Sequence, residues 1–166
     1  MAAKSKPTTT KPSPIPLPYR LFFTWIEPLS ALFGAYLYLF APTFLLPSLI
    51  PTPLHPLLAS GPSPVETMLL WQVGSLYIVF FFVEFVFLRY AGSGRPDVWR
   101  IVVAAILFGS DWGHIWSFKV LGEAAGMRAD WWWWPGAWER WEDWGNLGTL
   151  WFGVGMRVAF LLGVGL

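Results

Sequence analysis

The chain has 166 residues, of which 55% are hydrophobic and 13% charged, a balance too apolar for an ordinary soluble domain. A formal net charge of +1, with no clustered basic face, argues against a nucleic-acid partner. With no cysteine, disulfides, thiolate nucleophiles and Cys-based metal sites are excluded.

Residues 1–19 carry Lys4, Lys6 and Lys11 among five prolines. Such a stretch buries no core and is expected to be a disordered, Pro-rich cytosolic tail. A signal peptide fits poorly, because the prolines separate the charges from the first apolar run. Residues 20–166 are expected to form one transmembrane domain. Its four apolar runs, about 21–41, 68–88, 98–120 and 144–166, are each long enough to cross a bilayer as a helix. The segment 42–67 holds seven prolines and reads as an interfacial loop. The fold class is therefore all-α, a four-helix transmembrane bundle.

Orientation follows from Lys and Arg. The tail and the connection near residues 89–100 are basic (Arg20, Arg89, Arg95, Arg100), whereas the first loop has neither residue type. Both termini are expected in the cytosol. The third loop holds Trp at 131–134, then Trp138, Trp141 and Trp144, out of thirteen in the chain. It reads either as an aromatic belt at the headgroups or as a lid whose indole faces stabilise a developing cation.

Ionisable groups inside such spans mark candidate sites. Threading the helices antiparallel places Glu27, Glu84 and Arg157 toward the cytosol, where Arg157 and Glu27 are expected to form a structural ion pair. Pro28 follows Glu27 and is expected to kink the first span. Toward the far side fall Gln72, Asp111, His114, Asp143 and Asn146. Asp111 and His114 are three residues apart and share a helix face. With Asp143 they supply the inventory for moving a proton, with a register-fixing polar knot as the plain alternative. The candidate catalytic residues are Asp111, His114, Asp143 and, in reserve, Glu84. Gln72, Trp112, Trp116, Trp144 and Asn146 are candidate substrate contacts. Two histidines, His55 and His114, without HExxH spacing argue against a metal site, and no cofactor is expected.

Two further patterns stand out. Asp111-Trp112-Gly113-His114-Ile115 resembles Asp143-Trp144-Gly145-Asn146-Leu147. Small residues recur every four positions as Ala105, Gly109 and Gly113, and as Gly145, Thr149 and Gly153, with Arg157 next in line. Such stripes let helix backbones approach, and on the third span they suggest a central position or a homodimer.

At RLFFTWIEPLSALFGAY, RPDVWRIVV, SDWGHIWSFKVLG and EDWGNLGTLWFGVGMRVAFLLGVG the chain resembles a fungal family of small four-span integral membrane proteins. Some members of that family lie near secondary-metabolite genes, and it assigns no catalytic residue. A more distant likeness, in acidic residues at depth and tryptophans, is to the sterol isomerase and sigma-2-receptor superfamily. The expected setting is a multi-pass position in the endoplasmic reticulum or a related membrane. The leading expectation is an acid/base isomerase or cyclase for a sterol- or terpene-like lipophilic small molecule. The alternative is a non-enzymatic membrane scaffold or partner subunit.

Overall fold

The computed structural model describes residues 14–166, and every regular element among them is helical. Most of the Pro-rich tail, residues 1–13, lies outside the described residues. The helices are α1 (Leu17–Phe40), α2 (Pro42–Leu49), α3 (Pro64–Tyr90) and α4 (Pro96–Ala124). A fifth, α5, covers residues 141–161, and short 3-10 turns fill Thr52–Leu58 and Pro135–Ala137.

Proline starts three of these helices, at Pro42, Pro64 and Pro96, where its missing N–H costs nothing and its fixed φ suits the first turn. Ser63 and Glu66 close a capping box at the start of α3. Helix α1 starts earlier than the sequence reading allows. Ile15 and Tyr19 are buried in a core with Phe22, Phe23, Leu88, Trp99, Val103 and Phe160. The Tyr19 hydroxyl also donates to the Val164 carbonyl at 2.8 Å, so the ordered region begins inside the expected tail.

Helices α1 and α3 form the closest pair. A Cβ at Gly74 would stand 2.8 Å from Leu39 Cγ, and one at Gly34 would stand 2.9 Å from Tyr77 Cε1. Glycine at both points is what lets the helices meet. Helix α2 turns away from α1 by 114° at the Ala41–Pro42 step. The segment 42–67 is thus a lateral helix and a 3-10 turn, tied to α5 by Asn146 Nδ2 donating to the Ser48 carbonyl at 2.8 Å.

Two helices, α3 and α4, are long and apolar enough to cross a membrane, and the bent pair α1–α2 makes a third if counted as one span. Helix α5 is of similar length, but Asn146, Arg157 and four glycines dilute its apolar character. The outward faces are apolar: Phe44, Leu76, Ile101, Phe108 and Trp116 are each more than 60% exposed. Glu84, Asp111, Asp143 and Arg157 are buried instead. An apolar exterior around a charged interior is the inverse of a soluble domain and suits a lipid-facing protein.

Candidate functional site: a buried arginine among three carboxyls

Each of the four long helices contains one π-helical turn: Phe22–Ile26, Phe82–Phe87, Leu107–Asp111 and Trp144–Gly148. Such turns insert a residue into the helical repeat and are frequent at functional sites. Three acidic residues sit on or beside them. Glu27 directly follows the turn in α1, Glu84 lies within that of α3, and Asp111 ends that of α4.

Those three carboxyls converge on Arg157 of α5. Its Nη2 is in a very short contact with Glu27 Oε1 and lies 3.8 Å from Glu84 Oε1, while Nη1 lies 3.1 Å from Asp111 Oδ2. Arg157 is 2% exposed, Glu84 fully buried and the Asp111 side chain 6% exposed. Glu27, at 17%, is the member that reaches the bundle surface. Satisfaction is incomplete. Both Glu84 oxygens, Glu27 Oε2, Asp111 Oδ2 and Arg157 Nε are buried without a hydrogen-bond partner among the described residues. The Asp111 contact is thus an ion pair without hydrogen-bond geometry.

Local sequence explains how the cluster fits. Side chains on a helix lean toward its N-terminus, so the Arg157 guanidinium lies over the preceding turn. There Gly153 leaves room: a Cβ would stand 2.9 Å from Arg157 Nη1 and 3.4 Å from Glu27 Oε1. The last member of the α5 small-residue stripe therefore accommodates a charge. Beside Glu27, Pro28 lacks the N–H that the Thr24 carbonyl would otherwise accept. Arg89 Nη2 donates to that carbonyl at 2.6 Å, with its guanidinium stacked 3.8 Å from both the Trp25 and Phe85 rings.

The placement of Asp111 corrects the sequence reading. It was expected with Asp143 in a far-side layer, and it lies instead against Arg157, with Glu27 and Glu84. His114 also diverges from Asp111. Its Nε2 is 3.2 Å from the Tyr77 hydroxyl of α3, and the ring faces the Ser110 carbonyl one turn back. Tyr77 has no expected role; the signal available for it was a phenol hydroxyl two residues after Ser75 in the apolar run 68–88.

Asp143 belongs to a separate structure. Arg140 Nη2 and Nε donate to its Oδ1 at 2.7 and 3.1 Å, and Trp131 Nε1 donates to Oδ2 at 3.4 Å. Arg140 Nη1 also donates to the Ile50 carbonyl at 2.9 Å. The Trp-rich segment packs on this pair, with Trp131, Ala137, Trp138 and Leu147 buried together. The indoles of Trp138 and Trp151 donate to the backbone carbonyls of Trp131 and Trp132, at 2.6 and 3.0 Å.

The expected substrate contacts do not line the Arg157 cluster. Gln72, Trp112, Trp116 and Trp144 are exposed on the outer faces, and Asn146 is engaged with Ser48. The two similar pentapeptides do share their sidedness. Asp111 and Ile115 are buried, as are Asp143 and Leu147, while Trp112 and Trp144 both point outward. A cleft of about 180 Å³ between α2 and α3, lined by Leu46, Ile50, Leu58, Glu66, Leu69, Leu70 and Val73, includes no member of the cluster.

Fold and site together define the class: an all-helical protein with membrane-length apolar helices and a buried arginine ringed by carboxyls. The chain belongs to the family described as "Domain of unknown function (DUF7704)", whose profile matches residues 12–166. Neither a curated protein nor a solved structure matches it.

Proposed function

We propose that this is a four-span integral membrane protein with cytosolic termini, and that the Arg157 cluster is its acid/base centre. The observation that carries the reading is a charge imbalance. Three carboxyls face one guanidinium, and four of their oxygens lack a hydrogen-bond partner. Fully ionised, three negative charges against one positive leave two in excess, and uncompensated buried charge costs several kcal/mol per ion. Exchangeable protons are the compensation the cluster is built to carry.

A centre of this kind, with Glu27 at the bundle surface, suits double-bond isomerisation or cyclisation of a sterol- or terpene-like molecule. Glu84, whose carboxyl lies against that of Glu27, delivers a proton to an alkene carbon. Asp111 takes one from the adjoining carbon, and Arg157 steadies whichever carboxylate is left. The resemblance to the fungal four-span family supports a setting in secondary metabolism, and the membrane we propose for it is the endoplasmic reticulum.

The test supplies sterol- and polyprenyl-type alkenes, in deuterated buffer, to membranes carrying each variant and reads deuterium in the product by mass spectrometry. Glu84→Gln and Asp111→Asn are expected to lower turnover by about a hundredfold or more, the usual cost of losing a positioned proton-transfer group. Asp143→Asn at matched protein level is expected to retain it. Wild-type turnover in both cluster variants removes the centre from the chemistry.

One observation favours a second reading, a non-enzymatic scaffold or partner subunit. A Cβ at Gly109 or Gly113 would meet nothing within 4 Å among the described residues, which leaves the small-residue face of α4 uncovered by them. A stable second protein held by that face in native mass spectrometry, together with no turnover of any alkene, favours the scaffold.

A further inference from the structure

Like charges in contact away from water repel strongly, so two carboxyls packed together mark a place where a proton is held. We propose that Glu27 and Glu84 share one proton, with Glu84 as its donor and Glu27 as the carboxylate that accepts it. The inference rests on the acid/base reading above and gives Glu27 a part in it beyond its ion pair with Arg157.

The backbone brings the two side chains together. Glu27 follows the π-helical turn of α1, Glu84 lies in that of α3, and these two turns pack against each other. A clamp beside them fixes the approach. Trp25 of α1 and Phe85 of α3 meet edge-to-face at 5.4 Å, and Arg89 covers both rings while donating to the Thr24 carbonyl at 2.6 Å. Arg89 is thus committed to its neighbours, and the cation that faces the pair is Arg157. Both Oε1 atoms turn to one of its nitrogens, Nη2, Glu27 in the very short contact and Glu84 at 3.8 Å. The two carboxyls lie within hydrogen-bonding reach of each other.

While both are ionised, neither can donate. Glu27 Oε2 and both Glu84 oxygens are then buried with no donor among the described residues. A single proton resolves the contact. The Glu84 hydroxyl donates to Glu27, and repulsion becomes a charge-assisted hydrogen bond between acid and carboxylate, one of the strong kinds. The asymmetry around Arg157 decides which partner carries the proton. Glu27 has the closer contact with the guanidinium and keeps the charge, whereas Glu84 is farther from it and fully buried. Asp111 faces the other nitrogen, Nη1, at 3.1 Å and stays available as the base. Glu27 is therefore a positioning residue that acts through Glu84, holding the acid of the centre in its protonated form.

The test needs no substrate. Infrared spectra of the protein in lipid nanodiscs are compared for wild type, Glu27→Gln, Glu84→Gln and the double variant. Glu27→Gln and Glu84→Gln are each expected to remove the same protonated-carboxyl component, because a single carboxylate then remains to face Arg157 Nη2. The double variant is expected to remove no more than either alone, the non-additivity of a proton that belongs to a pair. Glu27→Asp keeps the charge but withdraws it by one methylene, and is expected to move the component to higher frequency as the hydrogen bond weakens. Wild-type absorption in Glu27→Gln beside its loss in Glu84→Gln, or an unmoved band in Glu27→Asp, overturns the sharing and leaves the acid/base centre standing. A band untouched by both Glu84→Gln and Asp111→Asn overturns the centre, and the shared proton with it.

Discussion

Two buried arginine–carboxylate assemblies lie among the described residues, and they are built to opposite specifications. Around Asp143, one carboxylate meets one guanidinium, and both of its oxygens accept hydrogen bonds, from Arg140 and from the Trp131 indole. Around Arg157, three carboxyls share one guanidinium and most of their oxygens go without a hydrogen bond. The first arrangement is balanced and closed, as a structural strut should be. The second carries excess acid in a region where unpaired polar atoms are costly, which stability alone does not explain.

The contrast can be broken most forcefully at Arg157. Arg157→Met leaves three carboxyls without a counter-charge and is expected to cost about 3–5 kcal/mol, read by denaturant titration in mixed micelles. Adding Glu27→Gln and Glu84→Gln to that variant is expected to recover most of the loss. At the strut, Asp143→Asn weakens the charge-assisted bonds to Arg140 and should cost about 1.5–3 kcal/mol. It is also expected to expose Trp131 to an aqueous fluorescence quencher. Gly153→Ala places a Cβ against Arg157 Nη1 and is expected to cost about 1–3 kcal/mol, as overpacking does in a dense interior. The smallest effect on stability is expected from Glu84→Gln, which keeps the volume and removes one of the excess charges. It should change the stability by no more than about 1 kcal/mol while lowering turnover about a hundredfold or more. Had Glu84 been a strut like Asp143, the same change would destabilise the protein comparably.

Much of this architecture is legible in the residues. The expected spans 68–88 and 98–120 fall inside α3 and α4 because long apolar runs have few other ways to satisfy their backbone in lipid. What extends those helices, Pro64 with the Ser63–Glu66 box and Pro96, is short-range chemistry outside the apolar run. Antiparallel threading alone brings Glu27, Glu84 and Arg157 to one depth.

Asp111 was misplaced for two physical reasons. Depth counted along Cα atoms ignores that the Arg157 side chain leans over Gly153, about one turn or 5.4 Å toward the middle of the bundle. The π-helical turn Leu107–Asp111 also inserts a residue that a regular 100° repeat does not anticipate. The partners of Asp143 were hidden differently. Arg140 is its neighbour in sequence, but Trp131 reaches it only because the Trp-rich segment folds back, with indole N–H groups bonded to its own backbone. The small-residue stripes illustrate the limit of pattern reading. On α5 Gly153 makes space for a guanidinium, whereas on α4 Gly109 and Gly113 face nothing among the described residues.

The most direct test of the central claim, that the carboxyls around Arg157 hold exchangeable protons, is infrared spectroscopy of the protein in lipid nanodiscs. Four proteins are compared under conditions where surface carboxylates are ionised: wild type, Glu84→Gln, Asp111→Asn and Asp143→Asn. The account predicts a protonated-carboxyl absorption in wild type and Asp143→Asn that is lost or diminished in Glu84→Gln and Asp111→Asn. Four superimposable spectra in that region would contradict it.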